Sequence, residues 1–200
     1  MLTRMPTHCF PKGFTLLELM VTLAIFAFLL AVGIPSFSGY MANSSVRAAA
    51  TSIYGGIQRA RAEAIRTNLD VQFVLTDSIP SVANVGALAA SATGQNWVIR
   101  VPVRPVTAPP TYELLDSRVG AESGGGNVVV SSAGMGILTF TGIGATRSAA
   151  ASTVSLTHAT LNPTCDLNHA VRCINVMVSV AGQSRLCEPG RPNTDARSCQ

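Results

Sequence analysis

The hydrophobic pattern changes period along this chain. From Phe14 to Ile34 the sequence runs 21 residues with one charged side chain, Glu18, and at about 1.5 Å per residue such a helix spans a bilayer core of about 30 Å. Pro35 follows Gly33 and is expected to kink or loosen the helix, which then resumes with a narrower stripe. Val46, Ala50, Ile53, Ile57, Ala60 and Ala64 recur at spacings of four and three, predicting a face laid against a sheet. Gly55 and Gly56 interrupt this segment at about 1 kcal/mol each relative to alanine, a cost that close backbone packing would offset. Asn68 is the expected stop.

Beyond Asn68 the period falls to two. Val71, Phe73 and Leu75 alternate with Gln72, Val74 and Thr76, and further β-rich runs lie at Trp97–Val103, Asn127–Ser131, Ile137–Thr141, Thr153–Thr157 and Cys173–Val180. They predict an antiparallel β domain behind the long helix, an α+β chain. Loops are expected at Ser78–Gly94, read as a flexible connection, at Pro105–Pro110 and at Ala121–Gly126. Pro102 inside a strand predicts an edge or a bulge. Gly124-Gly125-Gly126 lacks the lysine and hydroxyl of a phosphate loop and reads as a turn.

Glu18 is the anomaly of the first segment. A carboxylate at mid-bilayer costs roughly 2.5–3.5 kcal/mol, less near the end, so something must compensate it. Cleavage after Gly13 would place the new amine of Phe14 one helical turn before Glu18, within reach of that carboxylate or of a neighbour's. An ordinary secretory signal has its small-residue cleavage site after the apolar run. Here the small residue precedes it, so the helix survives processing.

Composition fits one membrane-tethered extracytoplasmic domain: 48% of residues are hydrophobic and 12% charged. The formal charge of +4 includes Arg4 and Lys12 ahead of the cut, leaving +2 afterwards. Lys12 is the only lysine, so every later cation is arginine, suited to bidentate contacts with phosphate or carboxylate. Arg47, Arg59, Arg61 and Arg66 form a cationic strip on the helix, but Glu63 stands four after Arg59 and three before Arg66, which predicts local pairing. Cys9 precedes the cut. Cys165, Cys173, Cys187 and Cys199 cluster at the other end and read as two disulfides of an exported domain. Three pairings are open, and we favour Cys165 with Cys173 and Cys187 with Cys199. A metal site built with His158 or His169 lacks a CxxC knuckle, and neither a metal nor a cofactor is expected. Both histidines lie in Ser/Thr/Asn-rich surroundings and read as surface residues, without the elbow or paired carboxylates that catalysis needs. No enzymatic role is expected.

Lys12-Gly13-Phe14-Thr15-Leu16-Leu17-Glu18 resembles the class III signal of type IV pilins and type II secretion pseudopilins. The resemblance implies that a prepilin peptidase cuts between Gly13 and Phe14 and methylates Phe14, and that Glu18, as fifth mature residue, aids docking into a filament. Three further stretches resemble the GspH/FimT group of minor pilins and pseudopilins: Gln58-Arg59-Ala60-Arg61-Ala62-Glu63-Ala64-Ile65, Phe140-Thr141-Gly142-Ile143-Gly144, and Val178 through Cys187. They imply a pilin-like fold, a long N-terminal helix packed on an antiparallel β-sandwich. The implied organisation is a leader over 1–13, a transmembrane and filament-core helix over 14–39, and a periplasmic domain over 40–200, with the second half of the helix at 40–68 and the disulfide-rich tail at 165–200. The implied partners are other pilins or pseudopilins, the peptidase, an inner-membrane assembly platform and the membrane, crossed once. Some members of the group act in DNA uptake through a C-terminal Gly-Arg-x-Arg pattern, which this chain keeps only in part, as Gly182-Gln183-Ser184-Arg185 and Gly190-Arg191. Arg185, Arg191 and Arg197 are therefore the expected contacts to duplex phosphates, opposed by Glu188 and Asp195; the competing reading of this tail is a disulfide-pinned cover for a sheet edge. The expected role is that of a minor pilin, alternatively a minor pseudopilin of type II secretion.

Overall fold

The computed structural model describes residues 13–104, 109–124, 126–133, 136–166 and 168–199, with side chains omitted at 32–36 and 123–124. The leader up to Lys12, most of the loop expected at Pro105–Pro110, and Gly125 lie outside the described residues. The chain divides into two units, Met1–Ser38 and Gly39–Gln200.

One helix, α1 (Leu16–Thr67), supplies residues to both units. Pro35 does not end it, because a proline removes one backbone bond while the flanking turns keep theirs. In the first unit Thr15 caps the helix, its Oγ1 accepting the Glu18 N–H at 3.2 Å. Among the described residues no helix is long and apolar enough to cross a membrane; residues 32–34 of the expected span are among those without described side chains.

In the second unit α1 presents Ala42, Val46, Ala50, Ile53, Ile57, Ala60 and Ala64, all buried. The small residues let two antiparallel sheets approach closely. The strands are β1 (Val71–Thr76), β2 (Asn96–Pro102), β3 (Tyr112–Arg118), β4 (Val128–Ser132), β5 (Ile137–Phe140), β6 (Ser152–His158), β7 (Ile174–Val178) and β8 (Ser184–Cys187), with a short helix α2 (Gly120–Gly124) after β3. The first sheet runs β3-β2-β1-β5 and the second β4-β6-β7-β8. Their inner faces, with Phe73, Trp97, Phe140, Leu156 and Val176, close with α1 around one apolar core.

Several expectations are corrected here. The Ser78–Gly94 connection is packed down: Val85 and Leu88 cover Val74 and Val98 on the far face of the first sheet, and the Val85 carbonyl accepts from Arg100 Nη1 at 2.9 Å. β3 and β8 were not expected: the run Cys173–Val180 holds β7, and β8 follows a turn beyond it. Part of the Ala121–Gly126 loop is α2. Pro102 ends β2, two residues past its last pair with β1, Gln72 with Arg100, so the β1 ladder loses nothing to the missing N–H. The bulge lies at Ile99/Arg100. α1 stops at Thr67, and Asn68 turns the chain with φ 52°.

Candidate functional site

At the N-terminal end of α1, Thr15 and Glu18 stand at the Ncap and N3 positions, the spacing of a capping box, with the Thr15 hydroxyl accepting the Glu18 N–H. Thr-x-x-Glu before an apolar run is also a helix-start signal, which the charge and docking arguments for Glu18 leave out. An acid in the first turn also favours the positive end of the helix dipole. Gly13 has open space around its Cα, and Phe14 is 86% exposed. The apolar side chains that follow are exposed on every face, down to 46% at Leu30. A helix apolar all round requires an apolar environment.

The three stretches that carry the group resemblance meet at one place. Arg61 Nε on α1 donates to the Gly144 carbonyl at 3.0 Å, and Gln58 Nε2 donates to Ser184 Oγ at 2.7 Å. Gly144 and Gly182 both have left-handed φ, 78° and 77°, and a Cβ on Gly182 would strike the Gly144 carbonyl. The motif glycines thus exist because two tight turns touch, and the arginine because it ties them to the helix. This cluster locks the fold. Nothing in it is arranged for bond-breaking chemistry.

The helix arginines are largely spent within the chain. Arg66 pairs with Glu63 at 2.5 Å, and this hydrogen bond holds the Glu63 carboxyl below the usual carboxylate range. Arg59 reaches Asp116 of β3 at 2.7 Å rather than its helical neighbour Glu63, a cross-element partner that no local spacing reveals. His158 is buried at the end of β6, where its Nδ1 accepts the Leu161 N–H at 3.2 Å. It pins a turn and is not the surface histidine expected; His169 is exposed beside Asp166.

In the tail Cys165 is bonded to Cys173, and Cys187 to Cys199. Asn43 of α1 grips the first loop, donating to the Ala170 carbonyl at 3.0 Å and accepting from the Arg172 N–H at 2.8 Å. Glu188, 8% exposed, is the hub of the second. Its carboxylate meets Arg191 at 2.7 Å, Arg197 at 3.5 Å and Arg172 at 3.6 Å. Asp195 forms ion pairs with Arg191 and Arg197, each at 3.2 Å, and its hydrogen bonds to Arg197 hold its carboxyl low. Of the three arginines expected to face phosphates, the structure brings Arg191 and Arg197 together on these acids. Arg185 sits apart on β8 opposite Met177, its Nη2 3.9 Å from the Met177 sulfur. The tail also lies along the sheet edge, where Glu188 and Ser198 form a parallel bridge.

An apolar N-terminal helix and, in the second unit, its continuation packed on two antiparallel sheets make a pilin-like α+β fold. The chain belongs to the GspH family: the family model described as type II transport protein GspH matches residues 49–182, and the prokaryotic N-terminal methylation motif matches residues 11–34. It is thus a minor-pilin or pseudopilin-like member of the type IV pilin family, a structural subunit and not an enzyme. No curated protein matches the sequence. Among solved structures, it is similar to two crystal forms of the type IV minor pilin FimU from Pseudomonas aeruginosa. One has TM-score 0.49 and 16% identity over 72% of this chain and 92% of that chain; the other has 0.48 and 17% over 72% and 97%.

Proposed function

We propose that this chain is a minor pilin of a type IV pilus, cut between Gly13 and Phe14 by a prepilin peptidase, methylated on Phe14, held in the inner membrane by residues 14–39, and transferred by an assembly platform from lipid into a filament. The observation that supports it is the apolar helix exposed all round directly after Gly13. Burying each large side chain of that helix is worth about 1.5–3 kcal/mol, so it belongs first in lipid and then against the equivalent helices of other pilins. Transfer exchanges one apolar environment for another, and the specificity of the step must come from polar groups. Glu18 is the one acid in the segment. We assign it to the Phe14 amine of an adjacent subunit, in addition to its place in the cap.

The test is co-expression with a prepilin peptidase, followed by the intact mass of the detergent-extracted chain. The expected product starts at Phe14 and is one methyl group heavier than the bare chain. A Glu18→Gln variant is expected to be cut normally but left out of sheared filaments. A mature chain still starting at Met1 would sink the proposal. The type II transport description of the matching family supports a second reading, a minor pseudopilin of the secretion apparatus. Deletion separates the two: loss of twitching marks the pilus, and loss of exoprotein export marks the pseudopilus.

A further inference from the structure

We infer that the free edge of β8 is a docking site for an extended acidic segment of a partner protein, added as a further strand to the second sheet. β8 is outermost in the order β4-β6-β7-β8. Immediately after it, the Glu188 N–H donates away from the sheet to the Arg197 carbonyl at 2.7 Å, within the parallel bridge to Ser198. Alternation along the strand places the N–H and C=O groups of Leu186 and Ser184 on that same outward side, where the described residues supply no neighbouring strand. The edge thus accepts a strand for one residue and then stands open. The chain's own tail does not extend the pairing, because residues 189–198 are held inside the Cys187–Cys199 loop.

Strand addition takes affinity from the backbone and specificity from hollows for alternate side chains. Both requirements are met here. One hollow of about 220 Å³ lies between α1 and β8, with Ala50, Ile174 and Leu186 as apolar wall and Arg47 beside it. Another of about 460 Å³ lies at the Ser184–Arg185 end, beside Met177. Leu186 is 39% exposed, an apolar side chain on an open edge.

Charge selects the occupant. Arg47 is exposed on α1, and among the described residues no carboxylate pairs with its guanidinium, whereas Arg172, Arg191 and Arg197 all converge on Glu188. Glu188 is buried under those cations and presents little negative charge to an incoming strand. An acidic residue facing α1 satisfies Arg47, and the apolar residues that alternate with it face the hollow beside Met177, on the opposite side of the sheet from Leu186; a basic strand meets repulsion at Arg47. The assignment does not depend on cleavage at Gly13.

The probes are fluorescent octapeptides titrated against the full-length protein in detergent: alternating Glu–Val, alternating Lys–Val, and Glu–Val with N-methylated backbone amides. The Glu–Val peptide is expected to bind, the other two about tenfold more weakly or worse, and Arg47→Glu to reverse the charge preference. Amide exchange at Leu186 is expected to slow on binding. The N-methylated peptide tests the strand geometry without altering the protein, so a variant that failed to fold would not shield the idea. Equal binding of the three peptides, no binding up to about 1 mM, or unchanged Leu186 exchange would each overturn it. Concentration-dependent protection of Leu186 without peptide would give the edge to a second copy of this chain and overturn the acidic partner.

Discussion

Two adjacent glycines in α1 should respond oppositely to the same substitution. Gly55 has open space where a Cβ would stand, whereas a Cβ on Gly56 would lie 2.9 Å from the Phe73 ring and 3.2 Å from the Trp97 ring. Both rings are buried and stacked at a tilt with centroids 5.7 Å apart, so neither can yield by rotating into solvent. Alanine improves helix propensity at either position by about 0.8–1.0 kcal/mol. At Gly56 alone it also overpacks the core, at a cost of about 1–3 kcal/mol. Gly55→Ala is therefore expected to stabilise by up to about 1 kcal/mol, and Gly56→Ala to be neutral or destabilising by up to about 2 kcal/mol. Propensity cancels in the comparison, so the gap between the variants isolates the packing cost. For a chain of this size that gap is roughly 2–4 °C in Tm per kcal/mol. Urea or thermal unfolding of residues 39–200, disulfides intact, can be followed by Trp97, the only tryptophan, buried with its Nε1 donating to Ser52 Oγ at 3.0 Å. If both variants gain equally, to within about 0.5 kcal/mol, the close seating of Gly56 on the two rings is wrong.

Replacing Glu188 by glutamine leaves three guanidiniums facing a neutral amide and is expected to destabilise by about 1–3 kcal/mol, read as a lower melting temperature; a shift no larger than that of an ordinary surface substitution, about 0.5 kcal/mol, would refute the hub. Glu63 and Asp195 both have folded-state pKa values depressed by arginine hydrogen bonds, so their contribution is present at neutral pH and is lost as pH falls through those depressed values, below the ordinary carboxylate range of about 4. Urea midpoints measured from pH 7 down to 2.5 should show an acid limb that flattens in an Arg66→Gln/Arg197→Gln double variant, and an unchanged limb would remove these pairs from the account. Arg191 and Arg197 are held by Glu188 and Asp195, so in a duplex titration over a salt series Arg191→Ala and Arg197→Ala are expected to leave the slope unchanged; a slope that falls by about 0.9 per variant would mean that the tail surrenders its acids to DNA.

Long-period features were legible in the sequence because they repeat. The stripe from Val46 to Ala64 declared its buried face, and β1 declared itself by alternation. β3 escaped because Tyr112-Glu113-Leu114-Leu115-Asp116-Ser117-Arg118 has no period of two and leaves most of its residues half-buried. β8 escaped because Ser184-Arg185-Leu186-Cys187 holds no β-branched or aromatic residue, unlike Ile137-Leu138-Thr139-Phe140 of equal length. Side-chain partners brought by tertiary folding were equally hidden: Arg59 was read against Glu63, the nearest acid in sequence, and went to Asp116, an acid 57 residues away. The loop after β1 looked flexible because Val85 and Leu88 stand among small and polar residues, and two apolar side chains suffice to seal a sheet face. Thr15 is the opposite case, a cap whose signal is wholly local, Thr-x-x-Glu ahead of an apolar run.

The tail resolves a conflict that the sequence posed in terms of charge alone. Read as a string, Arg185, Arg191 and Arg197 make a cationic end; folded, Arg191 and Arg197 serve to bury Glu188 and hold Asp195. Each disulfide loop contributes to that arrangement, Arg172 from the first and Arg191 with Arg197 from the second. The first loop is gripped by Asn43 of α1, and the second is anchored to the end of β8 by the Glu188–Ser198 bridge. A tail built in this way is a brace between helix and sheet, and its cations are structural before they are available to any partner. Arg47, outside the brace and next to an open strand edge, is the cation such an arrangement leaves for recognition.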